Sequence, residues 1–204
     1  MKFIQVLIAG SLIAARLWAA APETKPFKEG ERESFSTAGN AKAAGLDFTI
    51  SYPKGWKAME VDDEPTAVRR FVSPAGVVVA LSIFPMEIKG TDEDRKMFEN
   101  KEALDALTPP GMKQITAIPT KVNGKLAGFV HASKTQGTKK AETVIYALLI
   151  GKCLVTVTGV VAAPADAKVS AADKMADYKE LFTLMTESIK EADRKDPEAG
   201  EGSR

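Results

Sequence analysis

The residue types that most often carry chemistry are scarce in this chain. Its 204 residues include one histidine, His131, and one cysteine, Cys153. His131 alternates with Phe129 and Ser133 along a predicted strand, where an imidazole could act as a base or a metal ligand. A catalytic base also needs a nucleophile and an orienting group, and no Gly-x-Ser-x-Gly elbow is present. We therefore interpret His131 as a structural or surface residue, and an envelope hydrolase that uses His131 is an alternative.

Patterns for metal and phosphate sites are also missing. Asp62, Asp63 and Glu64 are adjacent, whereas a calcium loop alternates its acidic ligands. A single cysteine excludes an intramolecular disulfide and every multi-cysteine zinc or iron–sulfur cluster. Gly124-Lys125 and Gly151-Lys152 lack the upstream glycines of a phosphate-binding loop. The sequence therefore predicts no catalytic residue, no metal ligand and no cofactor.

Two residues are tentative candidates for contact with a ligand or partner. Trp56 follows the first predicted strand of the domain, and a tryptophan there seals a core edge more often than it forms a ligand platform. Arg69 and Arg70 lie on a predicted strand, where alternation places them on opposite faces, so that one of them could line a groove. Charge protection of an edge strand is the plainer interpretation of this pair. We predict Trp56 and Arg69 as the contact residues.

Charge and composition narrow the possible partners. The chain has 28 basic and 27 acidic residues, a formal net charge of +1, and 45% hydrophobic residues. It therefore lacks the basic excess of a nucleic-acid-binding protein and the polar composition of a disordered one. We expect a monomer whose partner is an envelope protein or a small ligand, with no nucleic acid.

Residues 1–21 indicate export. A basic residue precedes an apolar stretch over residues 3–15, and three alanines end at Ala21, as in a cleavable signal peptide. Arg16 and Pro22 are unfavourable for cleavage, so an uncleaved anchor is the alternative, and the segment would then be the only membrane contact. No cysteine near the alanines is available for lipid attachment. We expect a signal peptide and a periplasmic or secreted protein.

Composition divides the rest of the chain into three parts. Residues 22–45 are polar, and their apolar positions have no period, which predicts a flexible linker. Residues 46–190 are predicted to form one domain. Residues 191–204 are polar and predict a disordered tail.

Alternation and turn residues within the domain predict consecutive antiparallel strands. Leu46 to Tyr52 alternate strictly between apolar and polar residues, which is typical of a strand with one buried face. Asn123-Gly124 predicts a two-residue hairpin turn. Lys134 to Lys140 are expected to form a polar loop between two strands. Further strands are predicted over residues 66–73, 77–84, 112–122, 125–135, 141–150 and 153–161.

Two amphipathic helices complete the predicted domain. Thr91 begins the first helix with a capping box, and the helix runs to about Leu107, before Pro109 and Pro110. Ser170 begins the second with the same type of cap, and its apolar stripe has helical spacing at Met175, Tyr178, Phe182, Met185 and Ile189. The predicted class is α+β, a mostly antiparallel sheet packed between helices as an α/β/α sandwich.

Several short motifs in this order resemble a known superfamily. Tyr52-Pro53-x-Gly55-Trp56 ends the first strand, Phe84-Pro85 ends a valine-rich strand, and the last helix carries Leu181-Phe182 and then Ser188-Ile189. With the order of elements over 46–190, these residues resemble the PsbP/Mog1-like superfamily, which includes bacterial exported PsbP-like and DcrB-like proteins.

The resemblance implies an antiparallel sheet between helices and a role in binding or assembly without chemistry. It therefore favours an exported, non-enzymatic accessory protein that binds a protein or an envelope component at a sheet edge or a helix–sheet groove. A small-ligand-binding module is the alternative.

Overall fold

The computed structural model describes residues 23–164 and 166–192. The predicted signal peptide and residues 193–204 of the predicted tail lie outside the described residues. The described helices are α1 Thr24–Lys28, α2 Asp92–Arg95, α3 Lys101–Asp105 and α4 Ala171–Glu187. The described strands are β1 Arg32–Ser36, β2 Phe48–Pro53, β3 Lys57–Met59, β4 Ala67–Val72, β5 Val78–Pro85, β6 Lys113–Val122, β7 Lys125–Gln136, β8 Lys139–Ile150, β9 Cys153–Pro164 and β10 Lys190–Glu191.

Seven of these strands form one antiparallel sheet in the order β3-β4-β5-β9-β8-β7-β6. Each strand from β6 to β9 pairs with the next along the chain, because tight turns join them. Asn123 and Gly124 both have positive φ, 52° and 77°, as the predicted hairpin turn requires. The strands on either side of Gly137 extend to Gln136 and Lys139, so the polar loop predicted over 134–140 is a short turn.

One face of the large sheet is covered by α4. Ser170 caps this helix by accepting from the Asp173 amide, and the Asp173 carboxylate accepts from the Ser170 amide in return. Phe182 of α4 packs directly over Gly159 of β9, where a side chain on the glycine would fill the same space. The apolar stripe predicted for this helix is buried in the main core at Met175, Tyr178, Phe182, Met185 and Ile189.

The opposite face is covered by short helices, which corrects the single helix predicted from Thr91 to Leu107. The segment contains α2, a 3-10 turn over Lys96–Glu99 and α3. Asn100 breaks the helix because its backbone is extended and its side chain accepts from the amides of Glu102 and Ala103, which caps a new helix. Phe98 and Leu104 then form a second, smaller core. Helices on both faces confirm the predicted α+β sandwich.

The flexible linker predicted over 22–45 is wrong from residue 23 onward. Residues 24–28 form α1, and Phe27 is buried in the main core. Residues 32–36 form β1, which pairs with one side of β2, and β10 pairs with the other side of β2 in a small three-stranded sheet. The side-chain oxygen of Thr37 donates to the carbonyl of Leu46 at 3.0 Å. The apolar residues of this segment lack a period because they belong to short, dissimilar elements.

Candidate functional site: the basic edge of the sheet

The two edges of the large sheet differ in length. At one edge β3 has three residues, and at the other β6 has ten. At about 3.3 Å per residue, β6 presents roughly 30 Å of strand with no neighbouring strand on its outer side in the described part of the chain. An edge of this length is a site where another chain can dock.

Charge is distributed unevenly around this edge. Residues 106–141, which include β6 and β7, contain six lysines and no acidic residue. Two of these lysines are paired, Lys125 with Glu191 at 2.9 Å and Lys140 with Glu142 at 3.0 Å. The other four form no ion pair with any described residue: Lys113, Lys121, Lys134 and Lys139. We call β6 together with Lys134 and Lys139 the basic edge.

Two large apolar side chains are exposed on the basic edge. Ile115 is 50% exposed and Ile118 is 48% exposed. Ile118 lies opposite Phe129, whose ring packs in the core on the α4 side of the sheet. Because α4 lies over β8 and β9, it does not cover Ile118 on β6. The basic edge therefore combines unpaired positive charge with apolar surface.

The same strand is interrupted in two places. The pairing of β6 with β7 shifts at a bulge between Gln114 and Thr116, and Pro119 has no N–H to donate. Bulges, prolines and lysines at an edge are the features by which sheets avoid pairing with copies of themselves. These interruptions limit backbone pairing along the outer side of β6 and leave mainly side chains for contact.

His131 lies on β7, one strand inside the basic edge. Its Nε2 is 2.7 Å from Oε2 of Glu142, which is 1% exposed, and Lys140 contacts the other oxygen. When Nε2 donates to the carboxylate, Nδ1 is the one ring nitrogen that remains to bond another group. His131 has no second carboxylate and no serine or cysteine as a hydrogen-bond partner in the described part of the chain. The trio thus supplies a buried carboxylate with two donors and lacks the other members of a hydrolase site.

Comparisons with known proteins address the fold. No protein-family model matches the sequence, and no curated protein sequence matches it. A crystal structure from Bacteroides thetaiotaomicron is similar with a TM-score of 0.51 and 11% identity, over 81% of this chain and 50% of that one. The chain thus spans half the length of that protein.

Two further similar structures are those of named proteins. The Ran-binding protein Mog1p of Saccharomyces cerevisiae has a TM-score of 0.49 and 10% identity, over 78% of this chain and 94% of that one. LpqN of Mycobacterium tuberculosis, involved in cell envelope biogenesis, has a TM-score of 0.44 and 12% identity, over 82% and 95%. Each of these three structures is similar to the chain in fold. At these identities the likeness concerns the fold alone.

Trp56 is buried rather than exposed as a platform. It is part of the main core, and its indole N–H donates to the carboxylate of Glu23, at the start of α1. Burial raises the pKa of the Glu23 carboxyl, and the bond from Trp56 opposes that rise. Trp56 therefore seals the edge of the core beneath the N-terminal segment.

Arg69 is largely enclosed by its own domain. Its guanidinium lies over the ring of Phe35 at 4.4 Å, and Nη1 is 3.6 Å from Glu60. Arg70 pairs with Glu64. These residues lie on β4, a strand that is covered at the edge by β3, so the structure brings neither Arg69 nor Trp56 to the basic edge.

The remaining candidates carry no site in the described residues. Cys153 is a buried free thiol in the core, and burial raises its pKa. No group of three or more potential metal-ligating side chains occurs among residues 23–164 and 166–192. Within the same ranges no helix has the length and apolar character needed to cross a membrane.

The basic edge has a readable signal in the sequence, although it is not among the predicted contact residues. A run of 36 residues without an acid, in a chain with nearly equal numbers of acids and bases, indicates a locally basic surface. Knowing which strand is the edge required the topology.

Proposed function

We propose that this protein is an exported, non-enzymatic accessory protein that binds an acidic, extended segment of another envelope protein along the basic edge. The observation that carries the proposal is the group of four unpaired lysines beside the exposed side of β6. Localisation in the periplasm or outside the cell rests on the signal peptide predicted over residues 1–21.

Charge complementarity selects the partner's composition. Lys113 and Lys121 lie near opposite ends of β6, and Lys134 lies one strand further in, close to Gly111. Acidic side chains along an extended segment can reach such a row of amines, and steering by charge raises the rate of association. The exposed side chains of Ile115 and Ile118 provide apolar surface for residues between the acids.

A second copy of this chain is a poor occupant of the same edge. Two basic edges placed together would bring like charges into contact, which costs free energy. The bulge between Gln114 and Thr116 and the missing N–H of Pro119 would also interrupt a ladder between two copies. Both features therefore favour a different protein, in agreement with the expected monomer.

The experiment uses two ten-residue peptides, one alternating glutamate with valine and the other lysine with valine. We expect the acidic peptide to shift amide NMR signals of residues 113–122 and the lysine peptide to leave them unchanged, because only the former complements the edge. Shifts confined to other strands, or equal shifts with both peptides, would contradict the proposal.

A matched pair of variants tests the apolar contact. Ile118→Ser should weaken binding of the acidic peptide about five-fold, since part of a buried isoleucine is worth about 1 kcal/mol. Met59→Ser is the control, because Met59 is 47% exposed on the opposite edge strand, β3. Equal weakening in both variants would show that the apolar contact is not on β6.

A further inference from the structure

A small cavity lies where strands β7 and β8 separate. Their pairing begins at Gly128 and Ala147, although both strands continue for three residues beyond that point. Over those residues β7 pairs only with β6, and β8 pairs only with β9. The two hairpins therefore diverge at their turn ends, and a cavity of about 170 Å³ lies at the divergence.

Most of the cavity wall is apolar. Branched aliphatic side chains contribute from β6, β7, β8 and the segment after α4, at Val122, Leu126, Leu148, Ile150 and Ile189. Lys125 and Glu191 also line the cavity and are joined to each other by an ion pair of 2.9 Å. An apolar cavity of about 150 Å³ accommodates a molecule the size of benzene. The volume therefore suits a ligand of about six carbon atoms.

Arg95 is the one charged residue that reaches this cavity from the face of the short helices. Its Nη1 bonds the exposed carboxylate of Asp92 at 2.5 Å, and Nη2 is 3.4 Å from the carbonyl of Leu149, another lining residue. Its Nε is buried and has no hydrogen-bond partner among the described residues.

The Nε and Nη2 groups form the edge of the guanidinium that binds a carboxylate through two parallel hydrogen bonds. In this protein that edge has only one long contact, while Asp92 occupies the other side of the group. A buried donor without a partner costs free energy, which a ligand acceptor would recover.

We propose that the cavity binds a short aliphatic monocarboxylate of about six carbons. The carboxylate pairs with the guanidinium of Arg95, and the alkyl chain lies against Leu126, Leu148 and Ile150. Inorganic phosphate fits less well, because the apolar walls would desolvate its remaining oxygens without replacing their hydrogen bonds.

The test is a titration of the protein with hexanoate, followed by amide NMR, with hexan-1-ol and inorganic phosphate as comparison ligands. We expect saturable shifts at residues 125–127 and 148–150 with hexanoate. Hexan-1-ol should bind at least ten-fold more weakly, because it lacks the charge that pairs with Arg95. Equal affinity for the alcohol, preference for phosphate, or no saturable shift at millimolar hexanoate would overturn the proposal.

Two variants locate the site, and a third is their control. Arg95→Gln should reduce hexanoate affinity at least ten-fold, and Leu126→Phe should do the same by filling the cavity while Arg95 is kept. Arg70→Gln removes another ion-paired arginine, on β4, and should leave hexanoate affinity unchanged. If Arg95→Gln does not fold, Leu126→Phe alone tests the site. Hexanoate binding by Leu126→Phe with wild-type affinity would then overturn the proposal. Peptide binding at the basic edge is a separate measurement that these outcomes do not affect.

Discussion

The two halves of the large sheet differ in what covers them. Helix α4 lies over β8 and β9, and side chains of β5, β8 and β9 form a large part of the main core. The hairpin of β6 and β7 extends beyond α4, with exposed isoleucines and unpaired lysines at its outer strand. We assign stability to the half beneath α4, the covered half, and the proposed partner contact to the hairpin, which the short helices pack against on one face.

The largest expected loss of stability comes from adding a single methyl group in the covered half. A Cβ at Gly159 of β9 would lie 2.5 Å from Cδ2 of Phe182, which α4 holds in the core. Gly159→Ala should lower the free energy of unfolding by about 3 kcal/mol, measured by urea denaturation.

The matched variant lies in the hairpin. At Gly128 of β7 a Cβ would approach Phe98, Leu104 and Leu107 at 2.9 to 3.1 Å, contacts that flexible leucines can partly relieve. Gly128→Ala should therefore cost about 1 kcal/mol. A larger loss at Gly128 than at Gly159 would contradict the assignment of stability to the covered half.

A smaller effect is expected at the boundary between the halves. His131→Ala removes one of two donors from the buried Glu142 carboxylate and should cost about 2 kcal/mol. Lys140→Ala should cost only about 0.5 kcal/mol, because its side chain is 41% exposed and solvent weakens its ion pair. Thermal unfolding of the two variants gives the comparison, and equal losses would show that His131 does not support the carboxylate.

A pH effect is expected in the covered half. Burial lowers the pKa of Lys174, near the start of α4, to about 8 from an ordinary value of 10.5. Between these values the unfolded chain binds more protons than the folded one, so stability should rise with pH. We expect a gain of about 1 to 2 kcal/mol between about pH 7.5 and 9.5.

The control for that pH effect is Lys174→Met, which should abolish the rise. Burial also raises the pKa values of the Cys153 thiol and of Tyr52, Tyr146 and Tyr178, which makes stability fall as pH rises through their titration. The gain from Lys174 is therefore the difference between the wild type and the variant. An equal rise in the variant would assign the effect to other groups.

The smallest effect on stability is expected at the basic edge. Replacing Lys113, Lys121 and Lys134 together by glutamate should change the free energy of unfolding by less than about 0.5 kcal/mol, because these side chains are exposed and unpaired. Urea denaturation of this triple variant measures the change. A loss above about 2 kcal/mol would mean that the lysines serve the fold.

Much of the fold could be predicted from local chemistry. Alternation predicted β2, Asn123-Gly124 predicted the hairpin of β6 and β7, and Ser170 predicted the start of α4. These signals are short-range, since a turn type or a helix cap depends on residues within a few positions. The same holds for Thr91, whose capping box is present at the start of α2.

Other features depend on contacts that the local pattern does not show. Asn100 can cap a helix or lie within one, and packing of Phe98 and Leu104 against the sheet selects the cap. Phe27 carries no periodic signal, because its partners lie on β2 and α4. The divergence of β7 and β8 beside Arg95 also arises between strands, so the cavity could not be predicted from either strand alone.

The most direct test of the proposed function is a charge swap at the basic edge. Fluorescence anisotropy would compare the wild type, the variant with Lys113, Lys121 and Lys134 replaced by glutamate, and a control with Lys54 and Lys57 replaced near β3. We expect the wild type and the control to prefer the glutamate–valine peptide about ten-fold, and the triple variant to prefer the lysine–valine peptide. An unchanged preference in the triple variant, or a reversal in the control, would contradict the assignment of partner binding to the basic edge.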